Sequence, residues 1–113
     1  MKVDLHSHST CSDGLLSPAD LVERAVRHGV DMLALTDHDE LAGLGAAHAA
    51  AEQWGLRLID GVEISVQWEA TTLHVVGLGI GIAHVPLIEG LAAIRTGREQ
   101  RAQRIAESLT AAG

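Results

Sequence analysis

The run Met32-Leu33-Ala34-Leu35 is wholly apolar, and Thr36-Asp37-His38-Asp39 follows it without a spacer. Such a run suits a strand buried on both faces, which requires further layers of structure above and below it. The polar cluster is then fixed at the strand's C-terminal end, where parallel α/β sheets bind their ligands.

The flanking segments fit that frame. Ser17 is placed to cap a helix, with Pro18 at its first position and Asp20 three residues after the cap. Leu21, Val22, Ala25 and Val26 give this helix an apolar face, and Gly29 suits its end. An Ala-rich helix is expected over about 43–54, closed by Gly55. Leu56 to Ile59 reads as a short strand, with Asp60-Gly61 turning into a second one over Val62 to Val66. Leu73 to Leu78 and the alternating Val3-Asp4-Leu5-His6 read as further strands. Strand and helix alternate, so right-handed βαβ units, a parallel sheet and the α/β class are expected.

On this frame the histidines and acids converge. His6 and His8 are two apart and share a strand face with Asp4, while Val3 and Leu5 point the other way, toward covering helices. His38 ends the second strand, Glu63 lies between Val62 and Ile64, His74 lies between Leu73 and Val75, and Asp13 follows the first strand in a loop. Imidazole and carboxylate together are ligands for zinc, manganese or iron. Glu63 can bridge two ions, and two ions would generate hydroxide and clamp a phosphate. Asp4 and Asp37 are candidates to orient a ligating ring from behind.

Each feature has a plainer explanation taken alone. His28, His48 and His84 read as structural residues. A His-x-His pair arises by chance, Asp37 and Asp39 could cap a following helix, and Asp13-Gly14 could be a simple turn. The conjunction of His6, His8, Asp13, His38, Glu63 and His74 at strand ends is what points to a metal site, since burying so many ionisable groups otherwise costs too much.

Composition narrows the class. Apolar residues make up 47% and charged residues 20% of 113 positions, which excludes disorder. No apolar run approaches the roughly 20 residues of a membrane span. The net charge of −7 opposes broad binding to double-stranded nucleic acid or to an anionic membrane. The single Cys11 cannot form an internal disulfide, and Met1-Lys2 leads into no targeting segment, so a cytoplasmic location is expected.

His6-Ser7-His8, Asp13-Gly14, Thr36-Asp37-His38-Asp39, Gly61-Val62-Glu63-Ile64-Ser65 and His74-Val75-Val76-Gly77-Leu78-Gly79 occur in an order that resembles the PHP (polymerase and histidinol phosphatase) family. From Arg95 to Gly113, Gly97-Arg98-Glu99 and Arg101 are similar to one branch, the 3′,5′-nucleoside bisphosphate phosphatases that also act as 5′-3′ exoribonucleases on short RNA. The resemblance implies a distorted seven-stranded (β/α) barrel, with residues 1–85 as its N-terminal half and 86–113 beginning an inserted helical region. It implies two or three divalent ions, manganese first, with zinc, iron or magnesium also admitted. His6 and His8 would hold one ion, Glu63 would bridge it to a second held by His74, and Asp13 and His38 would hold a third. A metal-bound hydroxide would attack phosphorus, which makes Glu63 and His38 the catalytic residues, with His38 able to protonate the leaving group. The expected partner is a phosphorylated small molecule or a short RNA, and no oligomeric state follows.

The basic residues cluster late. If Leu87 to Ala112 form one helix, Leu87, Leu91, Ile94, Ile105 and Leu109 make a stripe that Arg98 and Arg101 interrupt or border. Either Gly97 breaks the helix and these Arg are solvated, or Arg98 and Arg101 bind a substrate phosphate away from the ions.

The family draws further ligands from later strands, an Asp-x-His pair among them, whereas no His follows His84 here. The chain is therefore expected to be part of a longer protein, doubtful in activity alone, with an open sheet edge and exposed apolar surface. Other readings are a histidinol-phosphatase-like or polymerase-associated phosphoesterase, and a non-catalytic module stapled by metal.

Overall fold

The computed structural model describes residues 1–112. Its elements are β1 (Val3–Asp4), α1 (Pro18–Arg27), β2 (Met32–Leu35), α2 (Leu44–Trp54), β3 (Arg57–Trp68), β4 (Thr71–Leu78) and α3 (Val85–Ala112). Gly113, the last residue of the expected helical segment, lies outside the described residues.

The four strands form one sheet in the order β1-β2-β3-β4. As expected for βαβ units, β1 pairs parallel with β2, and β2 pairs parallel with β3. Ser17 caps α1, its hydroxyl accepting from the Asp20 amide at 3.2 Å, with Pro18 in the first turn. Val22 and Ala25 of α1 and Leu44, Ala47, Ala50 and Ala51 of α2 form one core with Leu33 and Leu35 of β2. The alanines keep α2 thin on this side, so the two helices and β2 pack closely.

Two expectations are corrected. Asp60-Gly61 does not turn: β3 runs unbroken through it for 12 residues. Its first four residues pair with β2, and Gly61–Trp68 pair antiparallel with Thr71–Leu78. Gly61 is there for space, since a Cβ would lie 2.7 Å from Thr36 Cγ2 and 3.0 Å from the Leu35 carbonyl. The sheet is therefore mixed, its last pair a hairpin. Val3 and Leu5, expected under helices, are instead 44% and 40% exposed, because β1 is an outer strand only two residues long.

The hairpin leaves Leu73, Val75 and Leu78 exposed, in line with the apolar surface expected of an open edge. Helix α3 is continuous through Gly97, which overturns the idea of a break there. Its apolar stripe is buried only in the first half: Leu91 is 2% exposed, Ile105 55% and Leu109 69%. At about 1.5 Å per residue α3 is roughly 42 Å long, so it outreaches the roughly 27 Å of an eight-residue strand such as β4. Among the described residues no helix is long and apolar enough to cross a membrane.

Gly61→Ala should lower stability by about 1–3 kcal/mol through overpacking. Gly45→Ala, in α2 with nothing within 4 Å of the added Cβ, should raise it by up to about 1 kcal/mol. Thermal unfolding of the two variants beside wild type checks both signs.

Candidate metal centre

Ser7 sets the first pair of rings. Its hydroxyl donates to the Ala34 carbonyl at 2.6 Å, and its carbonyl accepts from the Thr36 amide at 2.8 Å. Pinned to the end of β2, it leaves His6 and His8 converging on the other side, with their Nε2 atoms 3.1 Å apart. Residues 5–8 lie outside any regular strand, yet the period-two expectation holds for the two rings.

Asp37 organises the next loop. It is 1% exposed, and its carboxylate accepts from the Ser9 amide (2.6 Å), the Ser9 hydroxyl (2.6 Å) and the Ser12 hydroxyl (2.7 Å). The chain then doubles back so tightly that a Cβ on Gly14 would lie 2.2 Å from the His8 carbonyl oxygen. This fold returns Asp13 to the site. Asp37 therefore does not support a ring N–H as expected; its hydrogen bonds go to Ser9 and Ser12 instead. Asp4 likewise accepts from the His6 backbone amide at 3.1 Å and not from a ring. Neither Asp37 nor Asp39 caps α2, whose N-cap is Gly43 with no side-chain bond.

Glu63 is at the centre. It is 6% exposed, on the strand segment where His38 bridges in parallel to β3. Its Oε1 contacts His6 Nε2 and lies 3.4 Å from His8 Nε2. Its Oε2 lies 3.3 Å from His38 Nδ1 and 3.4 Å from His74 Nδ1. Asp13 closes the other side, 3.6 Å from His8 Nδ1 and 3.2 Å from His38 Nε2. The His8 and His38 rings stack between the two carboxylates, with centroids 4.5 Å apart and planes 12° from parallel.

All six expected ligands thus meet. They fall into three groups whose donor atoms lie within 4.8 Å of one another: His6, His8 and Glu63; His8, Asp13 and His38; and His38, Glu63 and His74. Among the described residues His8 Nδ1 is buried with no hydrogen-bond partner, a lone pair or N–H left for something else. An all-nitrogen-and-oxygen donor set with an orphaned buried ring nitrogen fits divalent cations. Of the histidines set aside, His48 pairs with Asp60 at 2.5 Å, an acidic partner that sequence spacing did not suggest.

A basic wall stands beside this centre. Arg98 Nη1 lies 3.3 Å from Oδ2 of Asp39, which is fully buried and has a φ of +51°, a region Asp tolerates. The same carboxylate accepts from the Ser65 amide and hydroxyl at 2.7 and 2.8 Å. Arg95 Nη1 donates to the Asp39 carbonyl at 2.7 Å and lies 3.6 Å from Glu40. Arg95 and Arg98 line a cavity of about 470 Å³ with Ser12, Asp13 and His38. Arg101 lines the adjoining cavity, which Arg98 also borders. The unusual inward Arg98 is thus paired, as such a position requires. Arg95 and Asp39 were not singled out as site residues; the three-residue step back from Arg98 was the available signal for Arg95.

The model of the PHP domain matches residues 4–106. The chain belongs to the PHP domain family. Among curated PHP relatives, it is 49% identical over 111 residues to the 3′,5′-nucleoside bisphosphate phosphatase of Chromobacterium violaceum, covering 98% of this chain and 39% of that one. It is 51% identical over 108 residues to the 5′-3′ exoribonuclease Rnm of Escherichia coli, covering 94% and 37%. A solved amidohydrolase structure from Chromobacterium violaceum, with bound sulfate and no metal, superposes with a TM-score of 0.90 at 48% identity, over 100% of this chain and 40% of that one. The chain therefore spans about two fifths of the length of these three proteins.

Because Glu63 faces two groups and His74 one, Glu63→Ala should weaken binding of every divalent ion held at both groups by at least about tenfold. His74→Ala should spare the ion beside His6 and His8. Metal content after dialysis against graded chelator distinguishes the two variants.

Proposed function

We propose that the protein is a metal-dependent phosphoesterase that hydrolyses the phosphate esters of nucleoside 3′,5′-bisphosphates and of short RNA at its 5′ end. The observation that carries this reading is Glu63, whose two oxygens each face their own pair of imidazoles. A neutral imidazole has one lone pair, so overlapping ligand groups must be divided. Divided so that each ring is used once, His6, His8 and Glu63 would hold one ion, Glu63 and His74 a second, and Asp13 and His38 a third. Manganese is the first choice for this mixture, with zinc, iron and magnesium next.

Divalent ions bound there supply an activated water and neutralise charge on a transferring phosphate. The chain's own groups do the rest. Glu63 and His38 stand among the reacting atoms, and with two ions bound and no third ion on its ring, His38, 20% exposed at its side chain, is free to pass a proton to a leaving oxygen. Arg98 and Arg101 bind the phosphate that is not cleaved, and Arg95 supports Arg98 from the next turn. His6 and His74 have side chains 56% and 49% exposed. The names of the phosphatase and exoribonuclease relatives support the same substrates. A cytoplasmic location accords with a lone cysteine.

The whole protein, assayed with adenosine 3′,5′-bisphosphate, histidinol phosphate and a short 5′-phosphorylated RNA, should turn over the first and third with manganese and lose turnover on chelation. Hydrolysis of histidinol phosphate alone would move the protein to the other branch. No hydrolysis of any of them, with metal bound, would support the staple. Arg98→Lys keeps the charge beside buried Asp39 but loses the planar fork. It should raise KM for the bisphosphate by roughly tenfold, about 1.4 kcal/mol, with metal content unchanged.

A further inference from the structure

Helix α3 carries the arginines that would meet a second phosphate, yet Leu91 is the one buried side chain among its described residues. Beyond Leu91, the hydrogen bonds and ion pairs that join α3 to other elements come, among the described residues, from two side chains. Arg95 donates to the Asp39 carbonyl at 2.7 Å and faces Glu40 at 3.6 Å. Arg98 pairs with the Asp39 carboxylate at 3.3 Å. Both arginines therefore converge on Asp39.

Asp39 is firmly held from the other side. It is fully buried, and its amide donates to the Glu63 carbonyl at 3.0 Å. Its carboxylate accepts from the Ser65 amide and hydroxyl at 2.7 and 2.8 Å, and Ser65 is itself paired across the hairpin with His74. Three bonds thus tie Asp39 to the strand that carries Glu63. It belongs to none of the three ligand groups.

Arg98, by contrast, is 48% exposed at its side chain. A long exposed arginine samples many rotamers, and ordering it on a ligand lowers affinity unless it is already in place. The pair with Asp39 uses Nη1, which leaves the Nε–Nη2 edge of the planar guanidinium for two parallel bonds to a phosphate. The cavity that Arg98 borders beside Asp13 and His38 puts that edge within the region of the metal centre.

We infer that Asp39 is a positioning residue for the second phosphate: by fixing Arg98 before the substrate arrives, it makes the protein select molecules with two phosphates over those with one. Asp39 acts through Arg98 and touches no reacting atom. A residue that only steadied its neighbour His38 would act differently. Its loss would lower metal content and slow all substrates alike, whereas loss of the brace on Arg98 reaches only substrates with a second phosphate.

This inference rests on the phosphoesterase reading, and the test separates the two. Asp39→Asn keeps the shape, accepts the φ of +51° and retains an oxygen for the Ser65 amide, but removes the charge that holds Arg98. The whole manganese-loaded protein and this variant are assayed on adenosine 3′,5′-bisphosphate and on adenosine 3′- and 5′-monophosphates. Asp39→Asn should raise KM for the bisphosphate about tenfold with kcat within about twofold. Metal content should be unchanged, and any turnover of the monophosphates should stay within about twofold. In an Arg98→Ala background the same substitution should change the bisphosphate KM by less than about twofold, because the group it acts through is gone. Ser65→Ala, which takes one donor from Asp39 and leaves its charge, should raise that KM by roughly threefold, so the inference stays testable if Asp39→Asn does not fold. Equal losses on bisphosphate and monophosphates, a fall in metal content, or independent effects of the Asp39 and Arg98 substitutions would overturn it. If wild type hydrolyses none of these compounds, the phosphoesterase reading fails, and affinity for the bisphosphate, measured by calorimetry over the same double-mutant cycle, decides the role of Asp39.

Discussion

Glu63 is a nearly buried carboxylate ringed by four imidazoles, and that arrangement has to be compensated. A desolvated charge with neutral neighbours is costly, while one shared between cations is not. The rest of the architecture serves to hold it there. β3 pairs with β2 before Glu63 and with β4 from Gly61 onward, so the residue sits where the sheet changes from parallel to antiparallel. That switch lets His38 approach from one side and His74 from the other, each within 3.4 Å of the same oxygen.

Two further buried carboxylates flank His38 and turn in different directions. Asp37 gathers Ser9 and Ser12 and so folds the loop that returns Asp13. Asp39 gathers Ser65 and Arg98, and its carbonyl holds Arg95, so it ties α3 to the sheet. Hydrogen bonds to charged groups are the stronger kind, at roughly 1.5–3 kcal/mol each. Alternate residues of one short segment thus supply a ligand and its two supports.

The acidic balance of −7 takes a different meaning in three dimensions. Three divalent ions would add about +6 at the centre and nearly cancel it. Half of the eight basic residues lie on one stretch of α3, where Arg95 and Arg98 are held by acids and, among the described residues, Arg101 and Arg104 form no ion pair. Net charge describes the whole surface and says little about a groove with three arginines and no acid in its lining.

Local chemistry made much of this legible from the residues alone. Ser17-Pro18 announces a helix start, Met32–Leu35 suits a buried strand, and His6, His8, Asp13, His38, Glu63 and His74 are ligand types placed beside strand ends. These features depend on neighbours in the chain, so the chain order carries them. What depends on partners far along the chain was not legible. Asp60-Gly61 has the composition of a turn, yet Gly61 is simply the residue that fits against Thr36 and Leu35. Asp4 and Asp37 looked like supports for rings but spend their lone pairs on backbone and serine donors. The sequence by itself determined which groups could bind metal and on which strands they ride. Tertiary structure alone decided that β4 returns antiparallel, that Asp39 captures Arg98, and that Arg98, Arg101 and Arg104 border one cavity with Ser65, Gln67 and Thr72 of the hairpin, because each of these is settled by packing between distant segments.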